Sequence, residues 1–413
     1  MPRLLAVLIA ASVLAGCSGS SSSTTEADAR ERALVLISID GARYDYLDRA
    51  DATLPTFRRF MAEGIRAERL VPVYPTKTFP NHYSLVTGLH PEAHGIVGNT
   101  MLDPTMGDAR GDTASFSLRN REAIADGRWW GGEPIWATAE RQGLRAGTVF
   151  WPGSEAEIGG IRPTRWLPYN RGLEYPARVD SVLTWLDGGM RFLTLYFEIV
   201  DDMGHRHGPD APETTRAMEQ IDGLLALLIE GLDERGTLAT TDLVVVSDHG
   251  MAPVTTPIFL DDTVDLDTET ASVIWGESAG IWPAPGADVD ALVARVDALD
   301  HVDAYRREDV PERFRHRDNE RIPPIVIMPE PGWTVTSRGY VEDRGMPSGG
   351  AHGYDNALPD LHGIFLARGP SFPSGETTGA LSVVDVYGIM TRVLGLTPAL
   401  NDGDPEAVDR VLR

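Results

Sequence analysis

A handful of acid and imidazole side chains carry the chemistry that this sequence suggests. Asp201 and His205 stand four apart in Asp201-Asp202-Met203-Gly204-His205, Asp248-His249 follow an apolar run, and His352 lies in Gly349-Gly350-Ala351-His352-Gly353-Tyr354. Asp40 ends another apolar run, LVLISI. Oxygen and imidazole ligands with no thiolate suit zinc, or manganese as a second choice, with one coordination position left for substrate. Two such ions roughly 3.5–4 Å apart would clamp the attacking and leaving oxygens of an in-line displacement, which is hydrolysis at phosphorus. Each piece alone is weak, because an Asp-His pair at a strand end is ordinarily a turn or cap and a four-residue Asp/His spacing is common by chance. Of the ten histidines, His82, His90, His94, His207, His301, His316 and His362 read as surface, core or supporting residues. The weight comes from the ensemble of three strand-end acids, a glycine-rich histidine loop and a threonine loop between them.

That loop runs Tyr74-Pro75-Thr76-Lys77-Thr78-Phe79-Pro80-Asn81-His82-Tyr83. Pro80 suits the first turn of a helix, which predicts Thr78 just before an N-terminus whose free N–H groups favour an anion. A threonine hydroxyl is a weak nucleophile until a base or metal lowers its pKa, and Asp40, Asp248 and His249 can supply that metal's ligands. The plain alternative for Thr78 is an N-cap.

Such residues need a scaffold that converges them. Ala33 to Ile39, Gly147 to Trp151, Phe192 to Ile199 and Leu243 to Val246 are strand-length and rich in β-branched or aromatic residues. Between them Met218, Ile221, Leu224, Leu225, Leu228 and Leu232 recur at helical spacing, and Ile135, Ala139 and Leu144 do so more weakly. The alternation predicts an α/β fold with a mostly parallel sheet covered on both faces. Ligands in open sheets bind beyond the carboxyl ends of the strands, where Asp40, Asp201 and Asp248 fall. Residues 253–349 lose the alternation and predict a smaller inserted subdomain, with a helix through Val289, Leu292, Val293, Val296 and Leu299. The chain then returns with Gly363 to Ala367 and closes on a helix around Val383 to Leu394.

Composition narrows the field. The 413 residues carry 37 Lys+Arg against 61 Asp+Glu, a net charge of −24, with 42% hydrophobic residues and a single cysteine. That supports a large folded core, excludes a disulfide framework, and argues against general nucleic-acid binding, which needs a basic surface. The apolar run from Leu4 to Leu14 is too short to span a bilayer and suits a signal sequence. Leu14-Ala15-Gly16-Cys17 resembles the bacterial lipobox. Residues 1–17 therefore read as a lipoprotein signal peptide, Cys17 as the lipidated residue and 18–29 as a flexible tether. Residues 30–413 form the catalytic part. Export follows, with Ser18 favouring an outer-membrane anchor facing the periplasm in a Gram-negative host.

The run PTKTFPNHYSLVTGLHPEAHGIVGN, together with ISIDG, RWWGGEPIWATAE, FWPGSE, DDMGHRHGP, SDHGM and AHGYDN, closely resembles the nucleotide pyrophosphatase/phosphodiesterase family of the alkaline phosphatase superfamily. The resemblance covers nearly everything from Ala33 onward, least securely in the insertion. It implies an alkaline-phosphatase-like three-layer α/β/α sandwich and two Zn²⁺ per chain. Asp40, Thr78, Asp248 and His249 would hold one ion, and Asp201, His205 and His352 the other. Asn99 would bind a non-bridging phosphate oxygen beside the Thr78 N–H. Phe79, Trp151 and Tyr169 would line a nucleotide pocket, Tyr169 stacking the base, with Lys77 and Glu155 nearby. Trp129, Trp130 and Trp136 read as packing. Asp202 departs from the small residue common beside the ligand Asp in relatives, an additional carboxylate that would alter zinc affinity or ligand choice, while the four-residue spacing to His205 keeps Asp201 as the ligand.

The implied activity is hydrolysis of nucleotide phosphodiester or pyrophosphate bonds through a phosphothreonine, releasing nucleoside 5′-monophosphates. The alternatives are a phosphodiesterase on lysophospholipids or glycerophosphodiesters and, from another class, a zinc-dependent lipoprotein that binds phosphorylated solutes. A sulfatase is disfavoured by the Thr-Phe-Pro-Asn setting.

Overall fold

The computed structural model describes residues 32–107 and 113–413; the signal segment, Cys17 and the tether lie outside them. Eight strands form the main sheet. Six precede the insertion: β1 (Ala33–Ile39), β2 (Ile65–Ala67), β3 (Ala146–Val149), β4 (Arg165–Leu167), β5 (Phe192–Phe197) and β6 (Thr241–Val246). The insertion contributes its own antiparallel sheet of β7 (Thr270–Ile274), β8 (Ala279–Pro283), β9 (Val302–Arg306) and β10 (Ile325–Pro329), in the order 7-8-10-9. The chain then rejoins the main sheet with β11 (Phe365–Arg368) and β12 (Glu376–Thr378). The main order is 12-2-11-6-1-5-3-4, parallel except where β11 runs against β2 and β6.

Every residue of β1, β5 and β6 is buried, because helices cover both faces and both sets of alternating side chains need an apolar partner. Leu34 and Leu36 belong to one core with Leu85, Trp136, Tyr387 and Met390, which come from α2 (Thr78–Thr87), α3 (Ile135–Arg141) and α8 (Asp385–Val393). Val35, Ile37 and Ile39 belong to a second core. It is filled from α1 (Pro55–Glu63), α4 (Tyr175–Asp187) and α6 (Pro212–Glu234). This is the expected three-layer α/β/α sandwich. The inserted sheet packs on α7 (Val289–Asp297) around a separate apolar cluster that includes Ile281, Leu292, Val296 and Ile327.

Several boundaries differ from expectation. The strand expected to reach Trp151 stops at Val149, where Phe150 takes a φ of 59° and turns the chain away. The strand expected to reach Ile199 stops at Phe197, and α5 (Ile199–His207) begins at once, so Asp201 sits in a first helical turn rather than at a strand end. The helix of the threonine loop starts at Thr78, with extended Lys77 as its N-cap. Pro80 is tolerated in that first turn because its missing N–H would have had no partner there. Leu299 lies beyond α7, which ends at Asp297.

Candidate active site

Strand register brings the acids together. β1 pairs in parallel with β5 through Ile39 and Phe197 and with β6 through Ser38 and Val246, so all three end at one level. Asp40 emerges from β1, Asp248 two residues past Val246, and Asp201 with His205 from successive turns of α5. Gly350 and Ala351 pair with Pro253 and Ala252, which carries His352 over the same edge. Gly41, at φ 71°, permits the tight exit; a Cβ there would sit 2.9 Å from Asp201 Cα.

The expected ligands form two adjoining sets. His249 Nε2 lies 3.1 Å from Asp248 Oδ2, 3.4 Å from Asp40 Oδ1 and 3.4 Å from Thr78 Oγ1. Asp201 Oδ1 lies 3.4 Å from His205 Nε2 and 3.5 Å from His352 Nε2, and these two nitrogens are 3.1 Å apart. Zinc bonds of about 2.0–2.1 Å in a tetrahedron separate ligand atoms by roughly 3.3 Å, so both sets have the spacing such an ion spans. The His249 and His352 rings stack with centroids 3.6 Å apart, which joins the sets.

Second partners fix the rings. His205 Nδ1 faces Gly350 O at 2.8 Å, His249 Nδ1 faces Gly250 O at 2.9 Å, and His352 Nδ1 faces Thr76 O at 2.7 Å. A carbonyl only accepts, so Nδ1 holds a proton, and in the neutral form of each ring the Nε2 lone pair faces inward. Asp40 Oδ1, Asp201 Oδ1 and Asp248 Oδ2 are buried with no hydrogen-bond partner among the described residues. Inward lone pairs facing unpartnered carboxylate oxygens suit a divalent cation and little else. His82 also lies within ligand distance of Asp40 and Asp248. Its nitrogens, however, are committed to Thr78 O at 2.9 Å and Ser38 Oγ at 2.8 Å, so it braces the helix instead.

The rings and acids shift one another: burial would lower His249, but the Asp248 charge outweighs it and raises it. Burial, and then the Asp248 charge, push the Asp40 carboxyl well above the usual range, and burial raises Asp201 likewise. Burial would also raise Asp248, but His249 and His82 outweigh it and hold that carboxyl low. His352 is pushed well down by burial and next by His249. Asp202 belongs to neither set; its carboxylate pairs with Arg171 at the cleft mouth.

Beside the first set opens a cavity of about 200 Å³ lined by Phe79, Leu118, Phe150, Trp151, Glu155 and Tyr169, with Asp40, Thr78 and Asp201 at its inner end. Trp151 is buried and donates Nε1–H to His82 O, so it is a fixed wall. Tyr169 is 40% exposed and packs edge-on against Phe150. Glu155 accepts from the Tyr169 N–H at 3.1 Å and pairs with Arg121 across the cleft. Trp129, Trp130 and Trp136 are buried packing residues.

Lys77 lies apart from this cavity. Its Nζ bonds Glu277 at 2.7 Å and His352 O at 2.5 Å, tying the insertion to the threonine loop. Asn99 Oδ1 accepts from Phe79 N–H at 2.9 Å, and its amide N–H₂ donates to no partner among the described residues. Tyr196 was not anticipated: it donates to Asp40 Oδ2 at 2.5 Å and lines the cleft. It belongs to the strand read from its apolar run, but only the tertiary fold aims its hydroxyl at Asp40.

Residues 34–355 match the family model described as type I phosphodiesterase / nucleotide pyrophosphatase. The chain is 35% identical over 394 residues to ectonucleotide pyrophosphatase/phosphodiesterase family member 1 of Homo sapiens, covering 92% of this chain and 42% of that protein. It is 34% identical over 417 residues to venom phosphodiesterase of Macrovipera lebetinus, covering 96% of this chain and 47% of that one. The chain thus spans less than half the length of these curated relatives. The structure of murine ectonucleotide pyrophosphatase / phosphodiesterase 5 superposes with a TM-score of 0.85 at 34% identity, covering 92% of this chain and 100% of that one. An inactive variant of the murine protein, solved in complex with AMP, matches equally well. With the sandwich, the paired ligand sets and the family match in agreement, the chain belongs to the type I phosphodiesterase / nucleotide pyrophosphatase family.

Proposed function

We propose that this protein hydrolyses nucleotide phosphodiester and pyrophosphate bonds and releases nucleoside 5′-monophosphates. The observation that carries this reading is the set of three inward Nε2 lone pairs facing three unpartnered, buried carboxylate oxygens, with the Thr78 hydroxyl at their edge. Asp40, Thr78, Asp248 and His249 would hold one Zn²⁺ and Asp201, His205 and His352 a second. When bound, such ions supply Lewis-acid activation and charge neutralisation.

The remaining work falls to the chain. The Thr78 N–H, at the first position of α2, makes no hydrogen bond among the described residues, and with the Asn99 amide it offers two neutral donors to a non-bridging phosphate oxygen. The aromatic cleft takes the nucleoside, Tyr169 against the base. Thr78 Oγ, its proton passed to solvent water, attacks phosphorus, the bond to the leaving oxygen breaks with its electron pair on the His205 side, where that oxygen takes up a proton from water, and a phosphothreonine forms. Water then cleaves that ester. Export and attachment through Cys17 belong to the same proposal and rest on the sequence of residues 1–29.

Thr78→Ala, assayed with ATP and with glycerophosphocholine, tests the reading. The expected result is AMP release from ATP by the wild type, a loss of at least about a thousandfold in the variant, and AMP binding retained. Metal content is measured alongside, because Thr78 is itself a proposed ligand. Unaltered turnover in the variant would remove the nucleophile, and wild-type turnover of glycerophosphocholine alone would shift the substrate to lipid-derived diesters.

A further inference from the structure

The amino-terminal edge of the main sheet lies opposite the ligand sets. Asp40 follows the last residue of β1 and Arg32 precedes the first, so at about 3.3 Å per residue roughly 25 Å of strand separates them. The parallel register sets a row of arginines around Arg32. Arg191 precedes β5, which pairs with β1, and Arg145 precedes β3, which pairs with β5. The Leu34 N–H donates to Arg191 O and the Arg191 N–H to Arg145 O, each at 2.8 Å, which keeps the three backbones level at this edge. Arg413 joins from the other side. Its N–H donates to Ser371 O at 3.1 Å, and the Arg32 guanidinium donates to Ser371 Oγ at 2.9 Å.

These charges are not cancelled locally. Arg145 donates to Gly188 O, Arg191 to Met190 O and Arg413 to Ser374 Oγ, so every guanidinium of the row meets a neutral acceptor. None of the four makes an ion pair among the described residues. Three carboxylates of this end are engaged elsewhere. Asp242 is buried, which raises its carboxyl, and both its oxygens accept from Ser371; Asp187 pairs with Arg235; Glu140 accepts from the N–H groups of Ala146 and Thr164. Arg145 and Arg413 are exposed, and Arg32 and Arg191 half-buried. Four uncancelled cations on one face run against the net charge of −24 that the whole chain carries.

We propose that this face docks on an anionic lipid surface, so that the anchored protein stands on its arginine row with the aromatic cleft turned away from the bilayer. This rests on the attachment through Cys17 proposed above. Fourteen residues, 18–31, separate Cys17 from Arg32, a reach of at most about 50 Å when fully extended. An anchor that short favours the entry face over the cleft end as the side nearest the bilayer. Each arginine held near an anionic leaflet strengthens the association about fivefold, and the effect dies away within a Debye length. A cleft on the far side draws its substrates from solution rather than from the membrane.

The test uses the lipidated chain with a fluorescent donor on Thr240→Cys, an exposed position just before β6, and an acceptor on the lipid headgroups. Energy transfer is expected to be at least about twofold greater on vesicles with about 30% phosphatidylglycerol than on phosphatidylcholine alone, and to lose that excess at about 1 M salt. Arg145→Gln combined with Arg413→Gln is expected to abolish the difference between the lipids, and Arg145→Lys combined with Arg413→Lys to keep it. Equal transfer on both vesicles would overturn the docking face and assign its arginines to Glu26, Asp28 and Glu31, the acids that precede Arg32. A glutamine pair that leaves the difference intact would overturn it as well. A chain that binds neither vesicle would overturn the attachment and the docking face together, leaving the phosphodiesterase reading untouched.

Discussion

At the scale of single residues, the site works because hydrogen bonds decide what each ring can do. His249 and His82 both lie beside Asp248, yet a carbonyl on Nδ1 leaves one with a free lone pair, while a carbonyl and a hydroxyl occupy both nitrogens of the other. The same logic applies to His94, away from the site. Its Nδ1 accepts from the Ile96 N–H at 3.1 Å, so Nε2 carries the proton toward Ser84 Oγ at 3.0 Å, and a second proton would destroy the first bond. Burial holds its pKa down to about 3. The unfolded chain takes up that proton near pH 6.5 and the folded chain does not, so the stability His94 contributes is complete above pH 6.5 and is lost as pH falls toward 3. The expected slope is about 1.4 kcal/mol per pH unit, in denaturant titrations between pH 6 and 4. His94→Gln should remove one proton from that dependence; an unchanged slope would contradict the assignment.

Elements act by holding those residues at one level. The parallel registers of β1, β5 and β6 bring Asp40, Asp201 and Asp248 to a common edge, and the closeness of β1 to α5 depends on a residue without a side chain at position 41. Gly41→Ala should strain a left-handed φ by roughly 1–2 kcal/mol and push Asp201 away from His205 and His352. The expected outcome is a folded protein that loses the ion proposed for the Asp201, His205 and His352 set, with activity lost at limiting metal and partly recovered at high metal. Elemental analysis and activity against zinc concentration check this; full metal loading in the variant would show that the close approach does not matter.

For the molecule as a whole, the insertion is fastened to the chemistry. Lys77 precedes the proposed nucleophile, bonds the carbonyl of His352 and pairs with Glu277 in the turn between β7 and β8 of the insertion, with both side chains largely buried. Removing one partner leaves the other charge poorly solvated, so each single change should cost more than its share of the double change. A double-mutant cycle with Lys77→Met and Glu277→Gln should give a coupling energy of roughly 1–3 kcal/mol in chemical denaturation, with ATP turnover reduced in Lys77→Met. Coupling near zero would mean that the insertion sits on the sandwich without bracing its threonine loop.

Much of this was legible in the chain itself. Buried strands read as continuous apolar runs because both faces of a covered sheet are dry, and the acids, the threonine loop and the histidine loop stand out where those runs end. Boundaries were less legible: the backbone turn at Phe150 and the immediate start of α5 after β5 are set by packing and local dihedrals rather than by composition. Much of the partner choice was out of reach of the sequence, since His205 bonds Gly350, His352 bonds Thr76 and Lys77 bonds Glu277, all more than a hundred positions apart. Sequence therefore supplied the residue types and the layered scaffold, because periodicity and chemistry are local properties. Only the tertiary structure decided which imidazoles keep a lone pair, that Tyr196 serves Asp40, and that Lys77 is a strut rather than a wall of the cleft, because orientation is fixed by neighbours that the linear order does not reveal.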